Sequence, residues 1–291
     1  MPASRTAQMA GKSVLITGAT SGIGLEAAVS LAQMGGRVFM VGRDPKKTTE
    51  RLAEVRARSS NSAVELLLCD MASLARVRQL ARDVLARCDR LDVLVNNAGS
   101  VYVERTLTEE GLESTFAVNY LSAFLLTNLL LDLLRKNAPA RVVNVSSSGH
   151  FRGTMDFEDL GFEQGYQIMR AYSRSKLALV LFTRELARRL AGSGVTVNAL
   201  HPGAVATNIW NRAPAAARPI FAVLKRVAMI SPAAGAESIV YLATSPELRD
   251  TTGLYFDRTV AKAPSRLARD DALASRLWDE SLRLTKLPST T

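Results

Sequence analysis

Short apolar runs alternate with helical patterns along most of this 291-residue chain, and no other feature limits the fold as much. Ser13–Thr17, Arg37–Val41, Val64–Cys69, Leu91–Asn96, Arg141–Ser146 and Val195–Leu200 read as strands, with Gly253–Phe256 as a short seventh. Helical patterns lie between them. One runs from about Ile23 to Met34, one begins near Asp44, and one passes through Arg76 and Val84. A long helix is expected from Glu110 to Arg135, and another carries Tyr172. Strands that alternate with helices pair in parallel and are covered on both faces. Right-handed crossovers then wind the sheet in both directions. The expected fold class is α/β: a single-domain Rossmann-like doubly wound parallel sheet over residues 1–291. No internal repeat or composition break marks a second domain, and the tail from about Lys286 reads as frayed.

A glycine turn follows the first strand, at Thr17-Gly18-Ala19-Thr20-Ser21-Gly22-Ile23-Gly24. Glycines let the backbone turn tightly and approach a pyrophosphate, and the helix that starts near Ile23 points free N–H groups at that anion. The second strand ends at Gly42, followed by Arg43 and Asp44. An acid at the strand end would accept bonds from a ribose 2′-hydroxyl. A guanidinium there binds a 2′-phosphate instead. Arg43 therefore favours NADP (NADPH) over NAD, while Asp44 is expected to cap the next helix. Lys46 and Lys47 add positive potential.

Tyr172-Ser173-Arg174-Ser175-Lys176 places a phenol and an ammonium four residues apart, on one face of a helix. A free phenol has a pKa of about 10. A nearby ammonium favours the phenolate and is expected to lower that value. The pair reads as a tuned proton donor and acceptor. With the glycine turn it points to hydride transfer coupled to proton transfer.

The formal charge of +10 raises the question of nucleic acid, but the basic residues are scattered arginines such as Arg51, Arg56, Arg76 and Arg82. They read as a solvated surface, and no nucleic-acid partner is expected. No apolar run reaches the roughly 20 residues that span a bilayer, and Met1–Lys12 lacks the apolar core of a signal peptide. Cys69 and Cys88 have no metal-ligand spacing and read as reduced structural cysteines in a cytoplasmic protein; no metal site is expected. One stretch stands apart. No Asp or Glu occurs between Glu185 and Glu237, and Ile209–Ile230 mixes Trp210, Phe221 and Leu224 with Arg212, Lys225 and Arg226. Three readings of it stay open: a lid over an apolar substrate, a peripheral membrane contact, and an ordinary amphipathic helix.

Six motifs then occur in a fixed order: TGATSGIG at 17–24, NNAG at 96–99, Asn119 in FAVNY, serines at 146–148, YSRSK at 172–176 and HPG at 201–203. In these the chain resembles the short-chain dehydrogenase/reductase family from about Gly11 to Phe256. The gap from Gly149 to Ala171, with SKLALVLFTRELARRL at 175–190, resembles the retinol dehydrogenase-like branch. That branch mostly uses NADP. Two departures stand out. Many branch members carry an N-terminal membrane anchor, and none is read here. Where the branch often has Asn-His-Leu-Gly, this chain has Asn119-Tyr120-Leu121-Ser122.

The resemblance implies a catalytic set of Ser147, Tyr172, Lys176 and Asn119, with Ser146 the next candidate for the serine. Tyr172 is implied as general acid and Ser147 as partner of the carbonyl oxygen. Lys176 would serve the tyrosine and the nicotinamide ribose, and Asn119 would support a proton-relay water. Cofactor contacts are implied at Gly18, Ser21, Gly22, Ile23, Gly24, Arg43, Asp70, Met71, Asn97, Ala98, Gly99, Tyr172, Lys176, Pro202, Gly203, Val205 and Thr207. His150 and His201 are not expected to be catalytic, because Tyr172 already fills the proton-donor role. The expected function is an NADP-dependent oxidoreductase of an apolar alcohol/carbonyl pair, an aldehyde, ketone or retinoid-like molecule. The variable regions 151–167 and 204–231 would build its substrate pocket. The alternative is a non-catalytic NADP-binding interaction protein. A homodimer or tetramer is compatible with the resemblance.

Overall fold

The computed structural model of the chain describes residues 7–205 and 230–288. Eight strands form one sheet: β1 (Ser13–Thr17), β2 (Arg37–Gly42), β3 (Val64–Leu68), β4 (Val93–Asn96), β5 (Ala140–Val145), β6 (Val195–His201), β7 (Tyr255–Asp257) and β8 (Val260–Lys262). Their order is β3-β2-β1-β4-β5-β6-β7-β8. The first seven are parallel, and β8 returns antiparallel to β7. The chain's progress across the sheet reverses between β1 and β4. Crossovers there leave on opposite faces, so a crevice opens outside the carboxyl ends of those strands.

Side chains alternate across each strand. Val14, Ile16, Val38, Met40 and Val143 face α1 (Gly22–Gln33), α2 (Pro45–Ser59) and α8 (Pro232–Thr244). Leu15, Phe39, Leu94, Val142 and Val197 face the other way, toward α3 (Leu74–Arg87), α5 (Ser122–Leu129), α7 (Ile168–Arg189) and α9 (Asp271–Thr285). The doubly wound reading is therefore correct. β8 was not expected: its residues Val260, Ala261 and Lys262 are all exposed and give no apolar run to read.

Two local expectations fail for tertiary reasons. The helix expected over 110–135 starts only at α4 (Ser114–Phe116), passes through a π-helical stretch at Ala117–Leu121 into α5, and breaks at Leu130 before α6 (Leu131–Lys136). Residues 106–113 form a turn instead. Glu113 caps α4, its carboxylate accepting from the Thr115 and Phe116 amides at 2.7 and 2.8 Å. Glu110 serves a different helix, accepting from the Leu74 amide at the start of α3 at 2.7 Å. Nothing local in the sequence announces that contact. Nor is Lys286 frayed. It closes α9 in a left-handed conformation, and Arg78 of α3 donates to the Thr285 carbonyl at the helix end. Asp44 caps α2 as expected, accepting from the Lys47 amide at 2.8 Å.

Candidate active site

A cleft of about 840 Å³ lies at the carboxyl ends of the strands, where their order reverses. Among the described residues it is lined at one end by Gly18, Ser21 and Arg43, and at the other by Ser147, Tyr172 and Lys176.

The floor is built by the turns after β1 and β4. Thr17 accepts from the amides of Asn97 and Ala98 through its Oγ1, both at 3.0 Å, and so ties the two turns together. Asn97 Nδ2 donates back to the Thr17 carbonyl at 2.8 Å. Gly18 has φ +68°, and a Cβ there would stand 2.9 Å from Ala98 Cα. Both conditions require glycine. Gly24 does not line the cleft. A Cβ on it would overlap Asn97 Nδ2 and reach 2.5 Å from the Gly18 carbonyl, so its role is close packing of α1 on the turn. Gly42 is held small in the same way by Thr48 and Thr20. Asp70, Met71, Ala98, Gly99, Pro202, Gly203 and Val205 line the cleft with Gly22 and Ile23. Thr207 and residues 209–229 lie outside the described residues, and with them most of the basic apolar stretch.

At the far end α7 carries Tyr172 and Lys176, both buried. Lys176 Nζ lies 5.7 Å from the centre of the Tyr172 ring and donates to the Val145 carbonyl at 2.9 Å. The expectation that the ammonium lowers the phenol pKa is not met in this geometry. Burial pushes the Tyr172 phenol up from its ordinary value, and a hydrogen bond with Ser147 offsets part of that rise. Burial also pulls Lys176 down, to about 8. Burial dominates both shifts because each charged form has lost water.

The two candidate serines differ in their hydrogen bonds. Ser146 donates to the Lys176 carbonyl at 2.9 Å and is buried, so its hydroxyl is already used in packing. Ser147 lines the cleft, as Ser146 does, and its Oγ accepts from the Gly149 amide at 3.0 Å. Asn119 sits in the π-helical stretch. Its Oδ1 accepts from the Ser100 amide at 2.7 Å and its Nδ2 donates to Ser175 Oγ at 3.0 Å, joining the turn after β4 to α7. A Cβ on Gly99 would lie 3.4 Å from Asn119 Oδ1 and 3.6 Å from Lys176 Nζ, so glycine brings all three close.

His150 is fully buried. A backbone amide can only donate, so its Nε2 accepts from the Ser265 amide at 3.2 Å. The Ser147 carbonyl can only accept, so Nδ1 bears the proton and donates to it at 2.8 Å. Both nitrogens are occupied, and burial lowers the pKa. The ring therefore fixes the serine loop in a neutral state. Ser100, Tyr102 and Met169 also line the cleft and were missed; Arg152 lines it too and lies in the 151–167 region expected to build the pocket. They come from three separate loops or helix starts and belong to no motif.

The sequence pattern described as short chain dehydrogenase matches residues 12–217. The chain belongs to the short-chain dehydrogenase family. Human retinol dehydrogenase 13 is 43% identical over 290 residues, covering 97% of this chain and 86% of that protein. Mouse retinol dehydrogenase 14 is 44% identical over 285 residues, covering 94% and 85%. An uncharacterized protein from Mycobacterium paratuberculosis superposes with a TM-score of 0.78 at 34% identity, covering 97% of this chain and 96% of its own. The Pseudomonas aeruginosa RhlG/NADP active-site complex superposes with a TM-score of 0.69 at 27% identity, covering 93% and 99%. This short-chain dehydrogenase is thus an NAD(P)-dependent oxidoreductase acting on CH–OH groups, and the non-catalytic alternative has no support.

The residues fit a dinucleotide. Ser21 at the start of α1 makes no side-chain cap bond, and the first turn of α1 holds no acid. Its N–H groups and the close-set glycines leave room and donors for a pyrophosphate. No cluster of metal-ligating side chains occurs among the described residues. No described helix is long and apolar enough to cross a membrane.

Proposed function

We propose that this dehydrogenase uses NADP(H) and interconverts an apolar, retinoid-like alcohol with its aldehyde or ketone. Arg43 carries the cofactor half of the reading. It lines the cleft just after β2, the strand end is glycine, and Asp44 is committed to capping α2. The substrate half rests on the names of the retinol dehydrogenase relatives and on the apolar Met169 and aromatic Tyr102 at the cleft.

When bound, the nicotinamide supplies the hydride in reduction and takes it up in oxidation. Gly18, Ser21, Gly22 and Ile23 would hold the pyrophosphate. Gly24 seats the helix behind it. Asp70, Met71, Asn97, Ala98, Gly99, Pro202, Gly203 and Val205 would enclose the rest of the cofactor, with Thr207 assigned the same role. Ser147 donates a hydrogen bond to the substrate oxygen, where negative charge grows. Tyr172 protonates that oxygen as general acid, or removes its proton in the reverse direction. Lys176 would bind the ribose and, as an ammonium, stabilise the phenolate that Tyr172 becomes. Asn119 holds the Ser100 turn against α7 and supports the relay of protons toward Lys176. We assign the protein to the cytoplasm on its two buried free thiols, Cys69 and Cys88.

The deciding experiment titrates NADPH and NADH against the native chain and Arg43→Ala, then follows NADPH oxidation with aldehydes, ketones and all-trans-retinal. A charge-assisted phosphate contact is worth about 1.5–3 kcal/mol, so Arg43→Ala should weaken NADPH by about 10- to 100-fold and leave NADH unchanged. Equal affinity for both cofactors in the native chain would sink the assignment.

A further inference from the structure

Arg174 sits between the catalytic Tyr172 and Lys176 on α7, yet its side chain turns away from the cleft and is buried, at 2% exposure. Among the described residues it makes no ion pair. Its Nε donates to the Thr154 carbonyl at 3.1 Å, and its Nη1 donates to the Asp159 carbonyl and to the Leu160 carbonyl, the latter at 3.1 Å. The guanidinium plane lies 3.7 Å from the centre of the Phe162 ring. A buried guanidinium that spends its donors on three carbonyls of one loop holds that loop's path, since each unmade bond would leave a desolvated group.

The contacts continue to the cleft. Phe162 is buried at φ +48°, the left-handed region that side chains with a Cβ rarely adopt, so its neighbours must hold it there. Its ring meets Tyr166 edge-on at 6.3 Å. Tyr166 OH donates to the Tyr102 carbonyl at 2.8 Å, and Tyr102 lines the cleft. Arg105 holds the same loop from the other side, donating to the Gly161 carbonyl at 2.9 Å. Three residues beyond Tyr166, Met169 stands at the cleft mouth, 46% exposed.

We propose that Arg174 is a positioning residue for substrate specificity: it clamps the 154–162 loop and, through Phe162 and Tyr166, sets the Tyr102–Met169 wall of the cleft. This rests on the reading of that end of the cleft as the substrate end. The wall selects for long apolar substrates and contributes nothing to the proton or hydride steps. A short carbonyl compound that touches only Ser147 and Tyr172 does not feel the clamp.

The test compares propanal with decanal, each with NADPH, for the native enzyme, Arg174→Met, Arg174→Lys and Tyr166→Phe. Arg174→Met and Tyr166→Phe should raise KM for decanal about tenfold, with kcat and the propanal KM within about twofold. Arg174→Lys keeps the charge but not the fork, and should fall between. Amide exchange over 154–166 should quicken in Arg174→Met, while β1 and β4 stay protected. If Arg174→Met does not fold, Tyr166→Phe, which loses a single hydroxyl, decides the matter. An unchanged decanal-to-propanal KM ratio in the variants that fold overturns the proposal, whatever the exchange rates. The two failures separate cleanly: normal turnover by Tyr172→Phe, or no aldehyde reduction at all, would refute the proposed function rather than the clamp.

Discussion

Tyr172 and Lys176 show how burial and chemistry compete at one site. Tyr172→Phe keeps the ring and removes the proton. NADPH binding should survive, while turnover falls by about 10²- to 10⁴-fold, the range of general acid catalysis. Normal turnover would exclude the mechanism. Lys176 allows a stability test in the cofactor-free protein. Its folded pKa of about 8 lies below its ordinary value of 10.5, so the unfolded chain binds the proton more tightly. The cost of the buried ammonium is then fully present below pH 8, at about 3 kcal/mol. It fades as pH rises from 8 toward 10.5. Lys176→Met should therefore be more stable than the native chain near pH 7, with the gap closing at higher pH. Thermal melts of both proteins from pH 7 to 10 measure it, and a gap that widens with pH would contradict the assigned direction.

At the scale of elements, the site depends on how closely α1 rests on the turns after β1 and β4. Gly24 is the contact point. A methyl group there meets Asn97 Nδ2 and, at 2.5 Å, the Gly18 carbonyl, and neither is a flexible side-chain end. Asn97 Nδ2 is fixed by its bond to Thr17. Gly24→Ala should force the helix off the turn, cost about 1–3 kcal/mol by overpacking, and weaken NADPH at least tenfold. Gly192→Ala is the control: its φ of +77° imposes strain, but the added methyl meets open space far from the cleft. Urea unfolding and cofactor titration of both variants separate a packing effect from general strain. Equal loss of NADPH affinity in the two would remove the special role of Gly24.

For the whole molecule, α9 covers the outer side of α7, opposite the cleft. Trp278 stands 5.0 Å from Phe124 and 6.0 Å from Phe182, ring centre to ring centre, with the Arg189 guanidinium over its face at 4.3 Å. Tyr120 and Ser281 share a hydrogen bond at 2.6 Å beneath it. This aromatic layer backs the helix that presents Tyr172 and Lys176. Trp278→Ala should cost about 3–5 kcal/mol, read as a lower urea midpoint. A cost under about 1 kcal/mol would show that α9 is only a peripheral cover.

The local pattern of the chain was enough for the alternating elements, the glycine turn and the Tyr172–Lys176 pair, because period-two and period-3.6 burial and backbone freedom at Gly18 are local demands. The order of the motifs marked many of the residues that line the cleft, while Gly24 and Asn119 pack beside it. Tertiary structure alone decided the rest. It gave the Ser146 hydroxyl a backbone partner on α7, and it broke the 110–135 helix by drawing Glu110 to α3 and Glu113 to α4. It also set the Tyr172 pKa, since desolvation depends on what surrounds the phenol rather than on the lysine four residues away. And it brought Tyr102 and Met169 to one cleft, with Tyr166 bonded to the Tyr102 carbonyl and Arg174 to the Thr154 carbonyl, contacts that no local periodicity encodes.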